Sequence, residues 1–266
     1  MSPHPRIAVS SPHMGTMRFE AVLPRVAERY AVWEIFGEGG HYLWDIETVF
    51  RELAPSYALR YTAHAPISDI NVASFNPEIR QLAMKLLIRT VVTASRMGID
   101  RVTVHPGLRM PMSRWDDERL RALTLDAARE LAHVGEEFGV TVCLENMSRN
   151  WVFTFQEPDW FGDVFTMSER LRFCYDVAHA HTNGPQTVRR YTEAFAGVTG
   201  NVHVSDNDGS LDGHWPLGKG SVPVVDVVRG LEQAGYRGNY VIESNSLEEG
   251  VESIGVLEEA LRGAGA

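Results

Sequence analysis

The sequence predicts an α/β chain folded as a single (β/α)8 barrel over residues 1–266. Three observations predict it. Short β-branched runs alternate with amphipathic stretches along the whole length, eight such units fit the 266 residues, and the later runs end in metal-capable side chains. Strands of about six residues joined by crossover helices imply a parallel sheet with both faces covered. A doubly wound open sheet is the alternative for such alternation. The polar run ends favour closure, because a barrel gathers all of them at its C-terminal mouth.

The expected strands are "RIAVSS" (6–11), "AVWEIFG" (31–37), "ALRYTAHA" (58–65), "RVTVHPG" (101–107), "VTVCLEN" (140–146), "LRFCYDV" (171–177), "GNVHVSD" (200–206) and "NYVIES" (239–244). Apolar residues at three- and four-residue spacing predict helices between them. Over 77–97 the stripe is Ile79, Leu82, Ala83, Leu86, Leu87, Val91 and Ala94; over 117–138 it runs from Leu120 to Val134. Asn76-Pro77 reads as a cap followed by a proline at the first helical position, and Gly98 and Gly139 as helix stops. A further apolar helix is expected over 222–235.

Composition narrows the function. With 44% hydrophobic residues the chain can bury one large core, and no apolar run approaches the ~20 residues needed to cross a membrane. The start "MSPHPRIAVSS" lacks a signal-peptide pattern, so a cytoplasmic location is expected. Cys143 and Cys174 lie in strand-like runs and read as buried thiols. The net charge is −10, only Lys85 and Lys219 are lysines, and the arginines are spread without a basic block. That balance lowers the odds of a nucleic-acid substrate without excluding it, since bound cations can make an active face locally positive.

The chemistry lies at the strand ends. Strand three ends at His64, strand four at His105, strand five at Glu145, and strand six at Asp176 with His179 just beyond. Strand seven carries His203, its loop carries Asp212 and His214, and strand eight ends at Glu243. Singly, each has an ordinary explanation: His105 bonded to backbone before Pro106, Glu145 capping a loop, Glu243 in an ion pair. Jointly, nine imidazoles and carboxylates at one mouth form a repulsive cluster unless cations sit among them. Imidazole with carboxylate and no thiolate suits zinc, manganese, iron(II) or cobalt. Nine donors exceed what one ion accepts, so two or three ions fit the full set, and one to three per chain are expected overall. An extended backbone would point Asp212 and His214 the same way, and Asp176 and His179 can meet around a tight turn. In "PLGKGS" (216–221) the amides of Gly218 to Ser221, with Lys219, read as an anion-holding turn before a helix, or as a plain turn with Ser221 as cap.

The segments "HAPISDINVAS" (64–74), "VTVHPG" (102–107), "LEN" (144–146), "DVAH" (176–179), "HVSDNDG" (203–209), "DGH" (212–214) and "IES" (242–244) resemble the xylose-isomerase-like TIM-barrel superfamily, over nearly the whole chain. That grouping holds sugar isomerases and epimerases and the endonuclease IV-type apurinic-site nucleases. The epimerase branch implies one metal on Glu145, Asp176, His203 and Glu243, with His179 touching substrate. The nuclease branch implies three zinc ions on all nine residues. Ile67-Ser68 stands where that branch carries a DNA-invading Tyr-Leu pair, and "MSRNWVFTF" (147–155) replaces its glycine-rich stretch. Duplex DNA is therefore a poor match, and "HAPISDIN" with "DGHWPLGKG" is closer to sugar phosphate isomerase/epimerase proteins.

The expected activity is a divalent-metal-dependent isomerase or epimerase of a sugar, sugar phosphate or similar polyhydroxy carbonyl compound. Glu145 and Glu243 would exchange a proton on opposite sides of one carbon, and His179 would orient a hydroxyl. Trp33, Glu34 and Trp151 are candidate pocket walls, although both tryptophans also suit packing. The alternative is phosphoester hydrolysis by a two- or three-metal cluster, which uses His64, His105, Asp212 and His214 as well. A multi-iron redox centre or an inactive binding barrel ranks below both. A small-molecule substrate is the partner expected, and the sequence leaves open whether the chain forms a homo-oligomer.

Overall fold

Each of the eight apolar runs forms a strand in a computed structural model, which describes residues 3–265. These are β1 (Ile7–Ser10), β2 (Val32–Phe36), β3 (Arg60–His64), β4 (Arg101–Val104), β5 (Thr141–Glu145), β6 (Leu171–Asp176), β7 (Thr199–Val204) and β8 (Tyr240–Glu243). All neighbours pair in parallel and β8 returns to β1, so the barrel closes in sequence order. The helices are α1 (Phe19–Arg29), α2 (Leu43–Leu53), α3 (Pro77–Arg96), α4 (Asp117–Phe138), α5 (Val177–Thr182), α6 (Pro185–Phe195), α7 (Val224–Gln233) and α8 (Leu247–Gly263). No helix among the described residues is long and apolar enough to cross a membrane.

The local signals act as their chemistry requires. The Asn76 side chain accepts the Glu78 amide at 3.0 Å and starts α3. Gly98 and Gly139 both take φ +73°, the left-handed geometry that ends a helix without a Cβ clash. Two expectations need correction. Helix α7 starts at Val224 behind Pro223 and has no side-chain cap, so Ser221 is a loop residue. The β5–β6 connection holds no α-helix, only short 3-10 turns at Pro158–Trp160 and Val164–Thr166. Pro158, Gly162 and closely spaced aromatics break the helical period there. Phe161 instead packs on Phe155, Phe173 and Phe195 at ring distances of 4.9, 5.3 and 5.5 Å, covering the outer face of β6.

Strand alternation divides the side chains into two sets. Ile7, Val9, Trp33, Ile35, Val102, Val142, Phe173, Val202 and Ile242 point outward into the main core beneath the helices. Inside the barrel, Ala8, Val32 and Val241 form a small separate apolar group. Phe36 shares their parity at the C-terminal end of β2 and stacks on His64 at 5.0 Å, and most of the remaining described interior is polar. Thr62, Glu34, Asn201 and Thr103 are hydrogen-bonded across the axis, with His64, Glu145, Asp176, His203 and Glu243 at the C-terminal ends of their strands. Strand register fixes that end layer: His64 lies beside Thr103, Glu145 beside Cys174, Asp176 beside His203, and Ser10 beside Glu243.

Candidate metal and active site

Glu145 is the hub of the mouth. Its Oε1 lies 3.0 Å from His203 Nδ1, and its Oε2 lies 3.1 Å from His105 Nε2 and 3.3 Å from His64 Nε2. His203 Nδ1 also lies 3.1 Å from Glu243 Oε1, whose second oxygen turns toward His214 at 3.7 Å. Asp176 caps the short helix α5 by accepting the His179 amide at 2.6 Å, which brings the His179 ring over the mouth. That ring sits between the Asn146 carbonyl at 2.8 Å from Nδ1 and Asp212 Oδ2 at 2.9 Å from Nε2. His214 Nε2 reaches the same Asp212 oxygen at 3.2 Å.

Asp212 and His214 converge, but not by the extended backbone that their spacing predicts. His214 has φ +48°, a left-handed residue at the end of a loop. Asp206 and Trp215 close that loop by exchanging backbone bonds of 2.8 and 3.0 Å. The turn aims both side chains at His179.

The nine residues fall into three groups whose ligand atoms lie within 4.8 Å of one another: His64–His105–Glu145 and Glu145–Asp176–His203–Glu243, which share Glu145, and the separate His179–Asp212–His214; Cys174 forms a fourth with Glu145 and His203. Two buried carboxylate oxygens, Asp176 Oδ2 and Asp212 Oδ1, have no hydrogen-bond partner. An unpartnered buried carboxylate oxygen is costly. Both belong to these groups, so the donor set fits divalent cations chemically as well as geometrically.

Electrostatics tell the same story. Burial, reinforced by the Glu243, Glu145 and Asp212 carboxylates, pushes Asp176 up to about 7, against the opposing pull of His179. Burial alone would raise Glu145, yet His203 and His105 hold it well below the usual carboxylate range. His214 is driven up to about 9 despite burial, by Asp212 and then Glu243. With four carboxylates crowded here, protonated imidazoles take the place that cations can fill.

The remaining candidates lie elsewhere, each for a physical reason. Trp33 points outward from β2, fully buried, stacked on Phe19 at 5.2 Å and edge-on to His41 at 5.7 Å; it is a packing residue and walls no pocket. Glu34 points inward but sits beneath the mouth. It accepts His203 Nε2 at 2.8 Å, Thr62 Oγ1 at 2.9 Å and Asn201 Nδ2 at 2.7 Å, so it supports His203 and is closed to substrate. Trp151 is exposed on the loop after β5. The Lys219 side chain is exposed, 4.0 Å from Glu252. The Gly218–Ser221 turn carries its own anion: the amides of Gly218 and Val222 donate to the Asp206 carboxylate at 2.8 and 3.0 Å. An external phosphate has no place in that turn.

Thr62, Asn201 and Asn146 were not singled out by the sequence reading, although Thr62 and Asn201 stand two residues before His64 and His203. The period of two along a strand places them on the same inward face one layer down. Asn146 orders the next strand end, exchanging bonds of 2.9 Å with the Asp176 backbone.

Known proteins share this architecture. An uncharacterized protein of Methanocaldococcus jannaschii, MJ1311, is 28% identical over 247 residues, covering 90% of this chain and 83% of that one. A "Probable endonuclease 4" of Acholeplasma laidlawii is 25% identical over 174 residues, covering 60% of this chain and 58% of that one. The crystal structure of a D-tagatose 3-epimerase-like protein superposes with a TM-score of 0.88 at 26% identity, over 98% of both chains. The family model described as xylose isomerase-like TIM barrel matches residues 30–262. With its closed parallel barrel and its polar mouth, the chain belongs to the xylose isomerase-like TIM barrel family.

Proposed function

We propose that the protein is a divalent-metal-dependent isomerase or epimerase of a small sugar or related polyhydroxy carbonyl compound. One observation carries the reading: the ligand atoms of Glu145, Asp176, His203 and Glu243 lie within 4.8 Å of one another, and the two glutamates come from strands three apart around the barrel. These four residues would hold the ion, drawn from zinc, manganese, iron(II) or cobalt. When bound, it would polarise a substrate carbonyl and acidify the neighbouring C–H. Glu145 takes the proton from one side of that carbon as a general base, and Glu243 returns one from the other side as a general acid. The two carboxyl groups then re-equilibrate their protons with solvent. His179, fixed by the Asn146 carbonyl and Asp212, orients a substrate hydroxyl.

The likeness to a D-tagatose 3-epimerase-like protein makes ketohexoses the first substrates to try. The test is deuterium exchange in heavy water, followed by NMR at the carbon beside the carbonyl, with manganese, cobalt or zinc added. The expected result is metal-dependent exchange that Glu145→Gln and Glu243→Gln both abolish. A specific observation keeps phosphoester hydrolysis as the second reading: Glu145 Oε2 faces His64 and His105, and Glu243 Oε2 turns toward His214. Those second oxygens would bridge further ions and not face a substrate carbon. Absence of exchange on ketohexoses, with metal-dependent cleavage of an aryl phosphodiester, would replace the first reading by the second.

A further inference from the structure

The opposite end of the barrel has a character that the linear sequence hides. The arginines look dispersed along the chain, yet four of them begin or precede strands at inward-pointing positions. Arg6 precedes β1, Arg60 opens β3, Arg101 opens β4, and Arg172 is the second residue of β6. Arg60, Arg101 and Arg172 share strand parity with Thr62, Thr103 and Cys174, which meet one another or Glu34 inside the barrel. An acidic chain thus carries a ring of guanidinium groups around its N-terminal mouth.

One of the four is neutralised by a carboxylate and a second is held by neutral acceptors. Arg6 makes a two-pronged pair with Glu232, at 2.9 and 2.6 Å, and donates to the Gly238 carbonyl. Arg60 donates to the Pro5 carbonyl and to Asn239. Arg101 and Arg172 make no ion pair among the described residues, and Arg101 Nε is buried with no partner. Both line one cavity of about 400 Å³, bordered also by Arg237, Thr141 and the glycines at 197 and 200. No carboxylate lines it. Gly200 makes the arrangement possible: a Cβ there would stand 2.6 Å from Arg172 Cβ and 2.9 Å from Cys143 Sγ.

We infer that this N-terminal cavity is a binding site for a phosphate dianion, free or carried as the monoester of a small metabolite, held between Arg101 and Arg172. Burying a guanidinium nitrogen without an acceptor is costly, and planar guanidinium groups match phosphate oxygens two at a time. The site lies at the end of the barrel opposite the metal-capable mouth, and it does not depend on which reaction that mouth performs.

The test is thermal unfolding of the full protein, as purified, in inorganic phosphate, in glycerol phosphate, or in chloride at matched ionic strength. Saturating phosphate should raise Tm by about 3 °C or more over chloride, because a ligand that binds only the folded state stabilises it. Arg172→Gln should lose that rise. Gly197→Asp is a second variant, placing a carboxylate at the cavity edge where a Cβ meets nothing within 4 Å. It should lose the phosphate effect even if Arg172→Gln does not fold. A rise with inorganic phosphate alone identifies a site for the free ion, and an equal rise with glycerol phosphate identifies a monoester site. No rise with either, or a rise that both folded variants keep, overturns the inference; the second result would place phosphate elsewhere, such as the metal-capable mouth.

Discussion

Glu34→Gln isolates the contribution of the layer beneath the mouth. In the folded chain the Glu34 carboxylate receives three donors, from His203, Thr62 and Asn201, at 2.7–2.9 Å. Burial would raise its pKa, but His203, with help from His64 and Asn201, holds it below the usual carboxylate range. An ionised carboxylate can only accept, so Glu34 keeps a proton on His203 Nε2 and makes Nδ1, which faces Glu145 and Glu243, the ring nitrogen that a cation can take. The amide of Glu34→Gln has one acceptor oxygen and a two-proton donor in the same space. At least one of the three donors then meets another donor, and nothing selects the Nε2–H tautomer.

Loss of such a carboxylate–histidine contact typically weakens metal affinity by about 10–100-fold. That range corresponds to about 1.4–2.7 kcal/mol, in line with one hydrogen bond to a charged group. The assay is titration of manganese or zinc against a competing chelator, with nitrogen-15 NMR of His203 reporting the tautomer. The expected outcome is a weaker metal Kd and a mixed His203 tautomer on an unchanged fold. A Kd within about twofold of the parent protein, with the fold intact, would refute the reasoning and reduce Glu34 to packing.

Four further outcomes follow from other parts of the structure. Gly107→Ala should destabilise by about 1–3 kcal/mol in urea unfolding, because its Cβ would fall 2.1 Å from Ala73 Cβ and 2.9 Å from the Ala73 nitrogen. Asp206→Asn should cost about 1–3 kcal/mol by the same measurement, since its amide presents a donor where the Gly218 and Val222 amides need an acceptor. Asn76→Ala removes the cap of α3 and should cost about 1 kcal/mol in Tm-derived stability. His41 is buried without a well-formed hydrogen bond on either ring nitrogen, and burial lowers its pKa to about 4 from an unfolded 6.5. The unfolded chain therefore takes up the proton first; its contribution is intact above 6.5 and declines as pH falls toward 4, by about 3 kcal/mol in total, a slope that His41→Phe should remove from the stability–pH profile.

The strands and the six mouth residues at or just past strand ends were legible because both follow from period, whereas Asp212 and His214 converge through a left-handed turn that their spacing does not announce. A β-branched run with an inward ligand at its end needs only the alternation rule to be placed. Asp176 and His179 were legible for a similar reason, as a strand end and the first turn of a helix. What escaped was set by contacts distant in sequence. Trp33 and Glu34 are adjacent, and only closure of the barrel decides that Trp33 meets Phe19 while Glu34 meets residue 203. The turn at 216–221 has the composition of an anion loop, and no local signal says that Asp206 already supplies the carboxylate. The arginine ring escaped too, since its four members lie far apart in sequence and reach one rim only because strands of equal phase start there.

The layers along the barrel axis explain why so polar an interior can persist. Glu34, Thr62, Thr103 and Asn201 add little net stability, since each exchanges water for a protein partner. The apolar residues buried between strands and helices do most of the stabilising, and they lie on the outward parity of the same strands. The two parities are thereby separated: the outward set holds the barrel and the inward set is free to carry charge. Each inward group still needs a partner, and the partners run in sequence from the mouth carboxylates through His203 to Glu34 and on to Asn201 and Thr103. Substitutions on the outward set should therefore appear chiefly as lost folding stability, whereas inward substitutions such as Glu34→Gln should appear chiefly as altered binding on a fold that survives.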